Sequence, residues 1–381
     1  MVNLVVSANN FVKLDAFDLT FLTAFSPTVI DETLGTLVSP GTLATYGDST
    51  GAVDFRGGNI SFDTVTHSYT SGAFSTLTLT DSRSFPIVTQ EFTNLGFSAG
   101  LLNAMISAPT PEAFRQQFFK FNDNLTGGSF ADVLVGYDGT DTLNGGGGDD
   151  KLYGGAGADI LMGGNDNDIM DGGAGVDTYI GGAGNDAYYV RNLGADGRVE
   201  DLFQELVNDG IDGVNTTVTL NLNEARYNNI ENGYLSGTAA INLGGSRADN
   251  VLIGNSAANS IYGLGGRDVM QGGGGADKFV FLTATDSGKI AATRDIIQDF
   301  VHGSDKIDLG AIDANGSATG LGTFNFQSVQ GAAFSGVAGQ LHFFHFDNNT
   351  IIEGDINGDK IADFQIQLYN TVALTGTDFI L

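Results

Sequence analysis

Seven aspartates, Asp132, Asp141, Asp150, Asp159, Asp168, Asp177 and Asp186, stand nine residues apart without a break between Gly127 and Tyr189. Each follows a run of glycines whose backbone can curl through positive φ and expose its carbonyls, so carboxylate and carbonyl oxygens are offered together. Six to eight hard oxygen ligands of this kind suit calcium, rather than zinc or the smaller octahedral shell of magnesium. The chemistry expected of this stretch is calcium binding.

The elements that would hold these acids are written in the same frame. In nines the stretch reads "GGSFADVLV", "GYDGTDTLN", "GGGGDDKLY", "GGAGADILM", "GGNDNDIMD", "GGAGVDTYI" and "GGAGNDAYY". Aspartate fills position six, and position eight is always apolar or aromatic: Leu134, Leu143, Leu152, Leu161, Met170, Tyr179 and Tyr188. The preceding "FFKFNDNLT" keeps Asp123 and Leu125 in phase. The last three residues of each unit form a short strand with the apolar side chain inward. One unit cannot bury that face alone, whereas stacked units build a continuous core. A flexible Gly/Asp linker would need no apolar residue at every ninth position. A second array covers residues 245–280, "GSRADNVLI", "GNSAANSIY", "GLGGRDVMQ" and "GGGGADKFV", with Leu252, Ile261, Met270 and Phe279 at position eight. Its sixth positions are Asn250, Asn259, Asp268 and Asp277, so calcium is expected to be weaker or absent in the first loops. Between the arrays, "GVNTTVTLNL" alternates like a strand.

Composition sets the limits. Among 381 residues, 45 are acidic and 16 basic, a formal net charge of −29 that repels nucleic acid and anionic membranes and favours cations. At 41% apolar and 10% aromatic, the chain is too hydrophobic for a disordered acidic tail. With no cysteine, stability must come from packing or metal rather than disulfides. The start, "MVNLVVSANNFVKLDAF", lacks the basic and long apolar regions of a conventional signal peptide. No run approaches the roughly 20 apolar residues of a membrane-spanning helix.

The nonapeptides resemble the calcium-binding repeats of the RTX, or haemolysin-type, family of secreted bacterial proteins. That resemblance implies a right-handed parallel β-roll with two nonapeptides per coil and calcium held between loops stacked on the same side. Ligating pairs would then be Asp132 with Asp150, Asp141 with Asp159, Asp150 with Asp168, Asp159 with Asp177, and Asp168 with Asp186. "NIENGYLSGTAAINLGG" resembles the spacer between RTX blocks. From about Asp277 the chain resembles the C-terminal domain of the serralysins, on "DKFVF", "TRDIIQDFVHGSDKIDLGAID" and "NTIIEGDINGDKIADFQIQLYNTVALTGTDFIL". In that family the acids of the "DFxxGxDKIDL" element bind calcium, which maps onto Asp299, Asp305 and Asp308; the other reading is solvated turn acids. Alternation in "DFQIQLYN" and "QLHFFHF" fits a strand sandwich. "DINGDKIAD" sets Asp355, Asn357, Asp359 and Asp363 at positions one, three, five and nine of an EF-hand-like loop. Position twelve is Ile366 instead of the bidentate glutamate, so a calcium loop and a polar hairpin turn both fit. The last residues, Asp378-Phe379-Ile380-Leu381, resemble the acidic-plus-apolar terminus read by type I secretion machinery; a final sandwich strand would look the same.

No catalytic group stands out. The four histidines, His67, His302, His342 and His345, form no H-E-x-x-H, so zinc metalloprotease activity is excluded. His342 and His345 fall on opposite faces of a strand. In the first 117 residues, "TPEAFRQQFF" predicts a helix with Thr110 as N-cap and Pro111 at its first position, while "STLTLTD" and "GGNISFDTV" predict strands. Gly96-Phe97-Ser98-Ala99-Gly100 matches G-x-S-x-G, a pattern that 56 glycines make common by chance, and the next histidine is His302. Ser98 is therefore not taken as a nucleophile.

The sequence thus predicts a mainly β protein: a parallel β-roll, a C-terminal β-sandwich and a small N-terminal α+β domain. The expected boundaries are 1–117, a first roll at 118–190, a β-rich spacer at 191–244, a second roll at 245–281 and a serralysin-like secretion domain at 282–381. The expected function is a secreted, extracellular calcium-binding protein that folds on calcium outside the cell. Its partners would be the type I exporter and a surface glycan or host protein. The alternatives are a hydrolase with its active site in the N-terminal domain, and an RTX toxin or bacteriocin.

Overall fold

The structure is a computed structural model that describes residues 122–191, 200–207, 209–315 and 322–381, with the backbone of seven strands between Asn3 and Ser98. The described residues are nearly all β. Ala225–Tyr227 and Gly376–Asp378, both short 3-10 turns, are the helical pieces among them. The expected mainly β fold built on a parallel roll is what the chain adopts. By its internal contacts the chain divides into two compact units.

In the first unit, Met1–Asn192 with Glu200–Gln204, each nonapeptide gives one strand: Val133–Asp138, Thr142–Gly147, Lys151–Ala156, Ile160–Asn165, Ile169–Ala174, Thr178–Ala183 and Ala187–Val190. Successive strands join alternate sheets, and within a sheet residues eighteen apart are partners, as in Leu143↔Leu161 and Leu152↔Met170. Two nonapeptides therefore make one coil. The alternation of apolar and small or polar residues decides which side chains face inward. Leu125, Leu134, Leu143, Leu152, Leu161 and Met170 are all fully buried. Each such side chain contributes about 1.5–3 kcal/mol by leaving water, which no single nonapeptide could collect alone. Tyr179, Tyr188 and Phe203 close the last coil, with Tyr179 stacked on Phe203 at 5.1 Å and Tyr188 edge-on to both.

One sheet of this unit continues beyond the repeats. Asn3–Val5 lies parallel to Asn124–Thr126, followed by antiparallel Val88–Ser98, Ala73–Asp81, Gly51–Gly57 and Leu43–Asp48. The expected strands of "STLTLTD" and "GGNISFDTV" correspond to Ala73–Asp81 and Ser61–Asp63. The expected helix at "TPEAFRQQFF" and the residues just after Ser98 lie outside the described residues.

The second unit is built from two facing sheets. One carries the parallel strands Gly213–Thr216, Asn232–Leu235, Val251–Ile253, Val269–Gln271 and Asp295–Ile297. It then takes Phe364–Leu368 in parallel, and Asn349–Asp355 and Gln340–Phe346 in antiparallel order. The other carries Leu220–Asn221, Leu243–Gly244, Ser260–Tyr262, Lys278–Val280, Lys306–Asp308 and Phe379–Ile380, all parallel. Leu252, Ile261, Met270, Phe279 and Ile307 fill the space between them.

Candidate metal centres

Because the coil repeats after eighteen residues, position six of one nonapeptide lies directly against position six two nonapeptides later. One carboxylate oxygen of each pair is used by the backbone. Asp150 Oδ1 accepts the N–H of Asp132 at 2.7 Å, and Asp159 Oδ1 that of Asp141 at 2.8 Å. Asp168, Asp177 and Asp186 do the same for Asp150, Asp159 and Asp168 at 2.8, 2.9 and 2.8 Å. The five pairs suggested by the repeat are thus adjacent, in two columns, one along each edge of the roll. Asp123 and Asp201 extend the second column: Asp141 Oδ1 accepts the N–H of Asp123 at 2.7 Å, and Asp201 Oδ1 that of Asp177 at 2.9 Å.

At five of these acids the other oxygen has no such use. Asp141, Asp150, Asp159, Asp168 and Asp177 are each buried, and their Oδ2 atoms have no hydrogen-bond partner. An unpaired buried oxygen is expensive, so a column of them asks for a cation. Backbone oxygens stand beside them. A Cβ placed on Gly145 would lie 2.2 Å from Asp150 Oδ2 and 2.7 Å from the Gly163 carbonyl; on Gly163 it would lie 2.2 Å from Asp168 Oδ2 and 2.6 Å from the Gly181 carbonyl. Carboxylate and carbonyl therefore converge on crevices that only glycine leaves open. The donor set is all oxygen and fits calcium.

Burial raises the pKa of these acids, opposed by the backbone hydrogen bond and reinforced by neighbouring carboxylates. Asp141 is pushed up to about 6 and Asp150, Asp159 and Asp168 to about 7. Without metal, the folded roll then holds more protons than the unfolded chain between the ordinary carboxylate range near 4 and about 7. Its stability is present at low pH and lost as pH rises through the folded values. The metal-free roll is expected to gain β-type circular dichroism as the pH is lowered from 8 to 5. A β-type signal that stays flat or falls on acidification would contradict columns of buried, unpaired acids.

The second unit has two such columns of its own, with altered chemistry. Asp268 Oδ1 accepts the N–H of Asn250 at 2.9 Å, and Asp277 Oδ1 that of Asn259 at 2.8 Å. The asparagines are engaged on both sides of their amides. Asn250 accepts from Ser246 N and donates to the Glu231 carbonyl, each at 2.6 Å; Asn259 accepts from Asn255 N at 2.9 Å and donates to the Ile241 carbonyl at 2.7 Å. An amide that supplies its own donor needs no cation. Further along, Asp295 Oδ1 accepts from Asp268 N at 2.9 Å and Asp305 Oδ1 from Asp277 N at 3.0 Å. Asp268 Oδ2 and Asp295 Oδ2 are buried without a partner, and burial pushes Asp268 up to about 7 and Asp295 up to about 9.

Asp295 was not among the residues singled out from the sequence. Its signal is an aspartate followed two residues later by an inward apolar side chain, Asp295-Ile296-Ile297, which Asp201-Leu202-Phe203 shares. Of the acids suggested by the serralysin resemblance, only Asp305 joins the column, and its second oxygen accepts Val301 N at 2.8 Å. Asp299 clamps Gly272 N and Gly273 N, both at 2.8 Å, while Asp308 accepts Gly310 N at 3.1 Å. In the EF-hand-like loop, Asp355 accepts Gly358 N at 2.7 Å and Lys360 N at 2.9 Å. Asn357 and Asp359 accept the N–H two residues on, each at 2.8 Å. Asp363 accepts Ile356 N at 2.9 Å and pairs with Lys289 at 3.2 Å. The loop thus joins two antiparallel strands, with its acids hydrogen-bonded to backbone N–H groups. His342 and His345 are kept apart, on Glu353 at 2.8 Å and on the Val372 carbonyl at 3.2 Å.

Residues 118–381 match the sequence profile of a family described as peptidase M10 serralysin C terminal. No curated protein matches the chain. Among solved structures it is similar to the AlgE6R3 subunit of the Azotobacter vinelandii mannuronan C5-epimerase, at 19% identity over 59% of this chain and 80% of that one, with a TM-score of 0.21. No helix among the described residues is long and apolar enough to cross a membrane.

Proposed function

The chain belongs to the peptidase M10 serralysin C-terminal family, and on that footing we propose that it is a secreted calcium-binding repeat protein whose roll folds as the ions bind. The observation that carries this reading is the two columns of buried carboxylate oxygens without partners, at Asp141, Asp159 and Asp177 and at Asp150 and Asp168. Calcium would be held by these oxygens and by the glycine carbonyls beside them, and it would supply the positive charge that the column lacks. The protein's own residues set the rest: the eighteen-residue coil brings the acids together, and the leucine and methionine column keeps water from the inner side.

The test is position within the array. Asp159→Ala removes an acid whose neighbours in the column, Asp141 and Asp177, are both aspartates. Asp277→Ala removes one that adjoins Asn259. The first is expected to raise the calcium midpoint of folding about tenfold and the second by less than half as much. Equal midpoints would show that the column is not the calcium site.

Export belongs to the same proposal. An unfolded, calcium-free chain suits passage through a type I exporter, with Asp378–Leu381 as the acidic-plus-apolar signal. Deleting these four residues is expected to leave the protein inside a host that carries such an exporter. Unchanged secretion of the truncated chain would remove that assignment. Outside the cell the protein is proposed to act as a non-enzymatic surface or matrix-contact protein toward a glycan or host protein.

A further inference from the structure

Position eight of the first array is apolar through Leu134, Leu143, Leu152, Leu161 and Met170, but Tyr179 brings a hydroxyl into the same fully buried column. A buried phenol needs a partner, and this one has two, both on the opposite sheet. It accepts the N–H of Gly172 at 2.8 Å and donates to the carbonyl of Tyr189 at 3.0 Å. Elsewhere the first glycine of a nonapeptide donates to the carbonyl seventeen residues ahead: Gly127 to Asn144 at 2.7 Å, and Gly245 to Tyr262 and Gly254 to Gln271 at 2.8 Å. For Gly172 that carbonyl is Tyr189, since 172 plus 17 is 189. The Tyr179 hydroxyl thus ties together, from the opposite sheet, the two groups that this position ordinarily joins. Burial holds the phenol far above its usual pKa, so it remains a donor.

Gly172 borders two of the partnerless carboxylate oxygens at once. A Cβ on Gly172 would lie 2.3 Å from Asp177 Oδ2. A Cβ on Gly154 would lie 2.5 Å from Asp159 Oδ2 and 2.6 Å from the Gly172 carbonyl, which places that carbonyl across the crevice from Asp159. Whatever fixes the backbone at Gly172 fixes the edge of both crevices.

We infer that Tyr179 is a positioning residue for the calcium crevices of Asp159 and Asp177, holding Gly172 at the distance they require. Without the hydroxyl, Gly172 would lose its tie to the opposite sheet and be held only along its own, free to shift against the carboxylates that it borders. The inference rests on the calcium reading above and assigns a role within it.

Calcium titration of the full chain by calorimetry, with calcium alone as the probe, tests it. Tyr179→Phe is expected to keep the number of bound ions while two of them lose about tenfold in affinity and the rest keep theirs. Phe203→Leu loosens the same aromatic cap without touching Gly172, so it is expected to lower the melting point and leave every affinity unchanged. Affinities in Tyr179→Phe equal to those of the parent would overturn the inference, as would the same selective loss in Phe203→Leu. If Tyr179→Phe folds only at about tenfold higher calcium, that shift supports the assignment; failure to fold at any calcium concentration would make the residue a structural one and overturn it. A parent chain that takes up no calcium overturns both readings, whereas a calcium-binding parent with an unaltered Tyr179→Phe overturns this one alone.

Discussion

Chelating calcium at pH 7.5 is expected to abolish the β-type circular dichroism of residues 118–281, and excess calcium to restore it. Five aspartate pairs in the first array each place a carboxylate against the next coil. In extracellular modules such sites hold calcium at about 10⁻⁴ to 10⁻³ M. Calcium at about 100 times its dissociation constant adds about 2.7 kcal/mol per site by mass action, so five sites approach about 13 kcal/mol. That equals the whole stability of an ordinary domain, about 5–15 kcal/mol. Without the ions the same acids are buried, mutually repelling and raised in pKa, so the metal-free coil at neutral pH lacks its main stabilising term and carries an added cost. Magnesium is expected to fail as a replacement because it demands smaller octahedral cages and gives up water reluctantly. A chelated protein with an unchanged spectrum and melting point would remove calcium from the account of this fold.

Gly157→Ala is the substitution expected to do the most harm to the roll for the least change in composition. Gly157 has φ +140°, and a Cβ there would lie 1.4 Å from the Gly139 carbonyl of the coil before it. No rotamer relieves a clash with backbone, so the coils must separate or the turn must open. Either change spreads to the neighbouring crevices, and a loss of about 4 kcal/mol or more is expected, the range reserved for strained or clashing backbone. Gly265→Ala is the matched control, because a Cβ there meets nothing within 4 Å. Its effect should stay within about 0.5 kcal/mol, as for ordinary surface changes. Equal calcium-saturated melting points for the two variants would mean that the turns are not packed coil on coil.

The parts of the fold that could be read in the sequence are those the coil itself enforces. An aspartate at position six and an inward residue at position eight recur because every coil meets its neighbours in the same register. Where a loop bulges out between strands, the count fails although the packing does not. Asp177 is followed in its column by Asp201, Asp268 by Asp295 and Asp277 by Asp305, at separations of 24, 27 and 28 residues. No fixed period finds these partners; the local signature of an aspartate two residues before an inward apolar side chain does. Spacing also says nothing about where an acid spends its lone pairs. Asp299 and Asp355 sit in sequences that suit calcium, and each also accepts backbone N–H groups on both oxygens, which no spacing reveals. Tyr179 looked like one more bulky core residue, because a phenol and a leucine are alike to a hydrophobic pattern.

The alternation of strands between two sheets gives the roll a parity. Every nonapeptide sends the chain to the other side, so the sheet a strand joins depends on whether an even or an odd number of units precedes it. The two sides of the first unit are not equivalent: among the described residues, only one is joined to Asn3–Val5 at its beginning and to Leu202–Phe203 at its end. Removing one nonapeptide would pass every later strand to the opposite side and bring the end strand to the wrong sheet. Removing two would shorten the roll by a coil and leave all later assignments as they were. Such a molecule can lengthen or shorten only in pairs of units, and its natural quantum of change is eighteen residues.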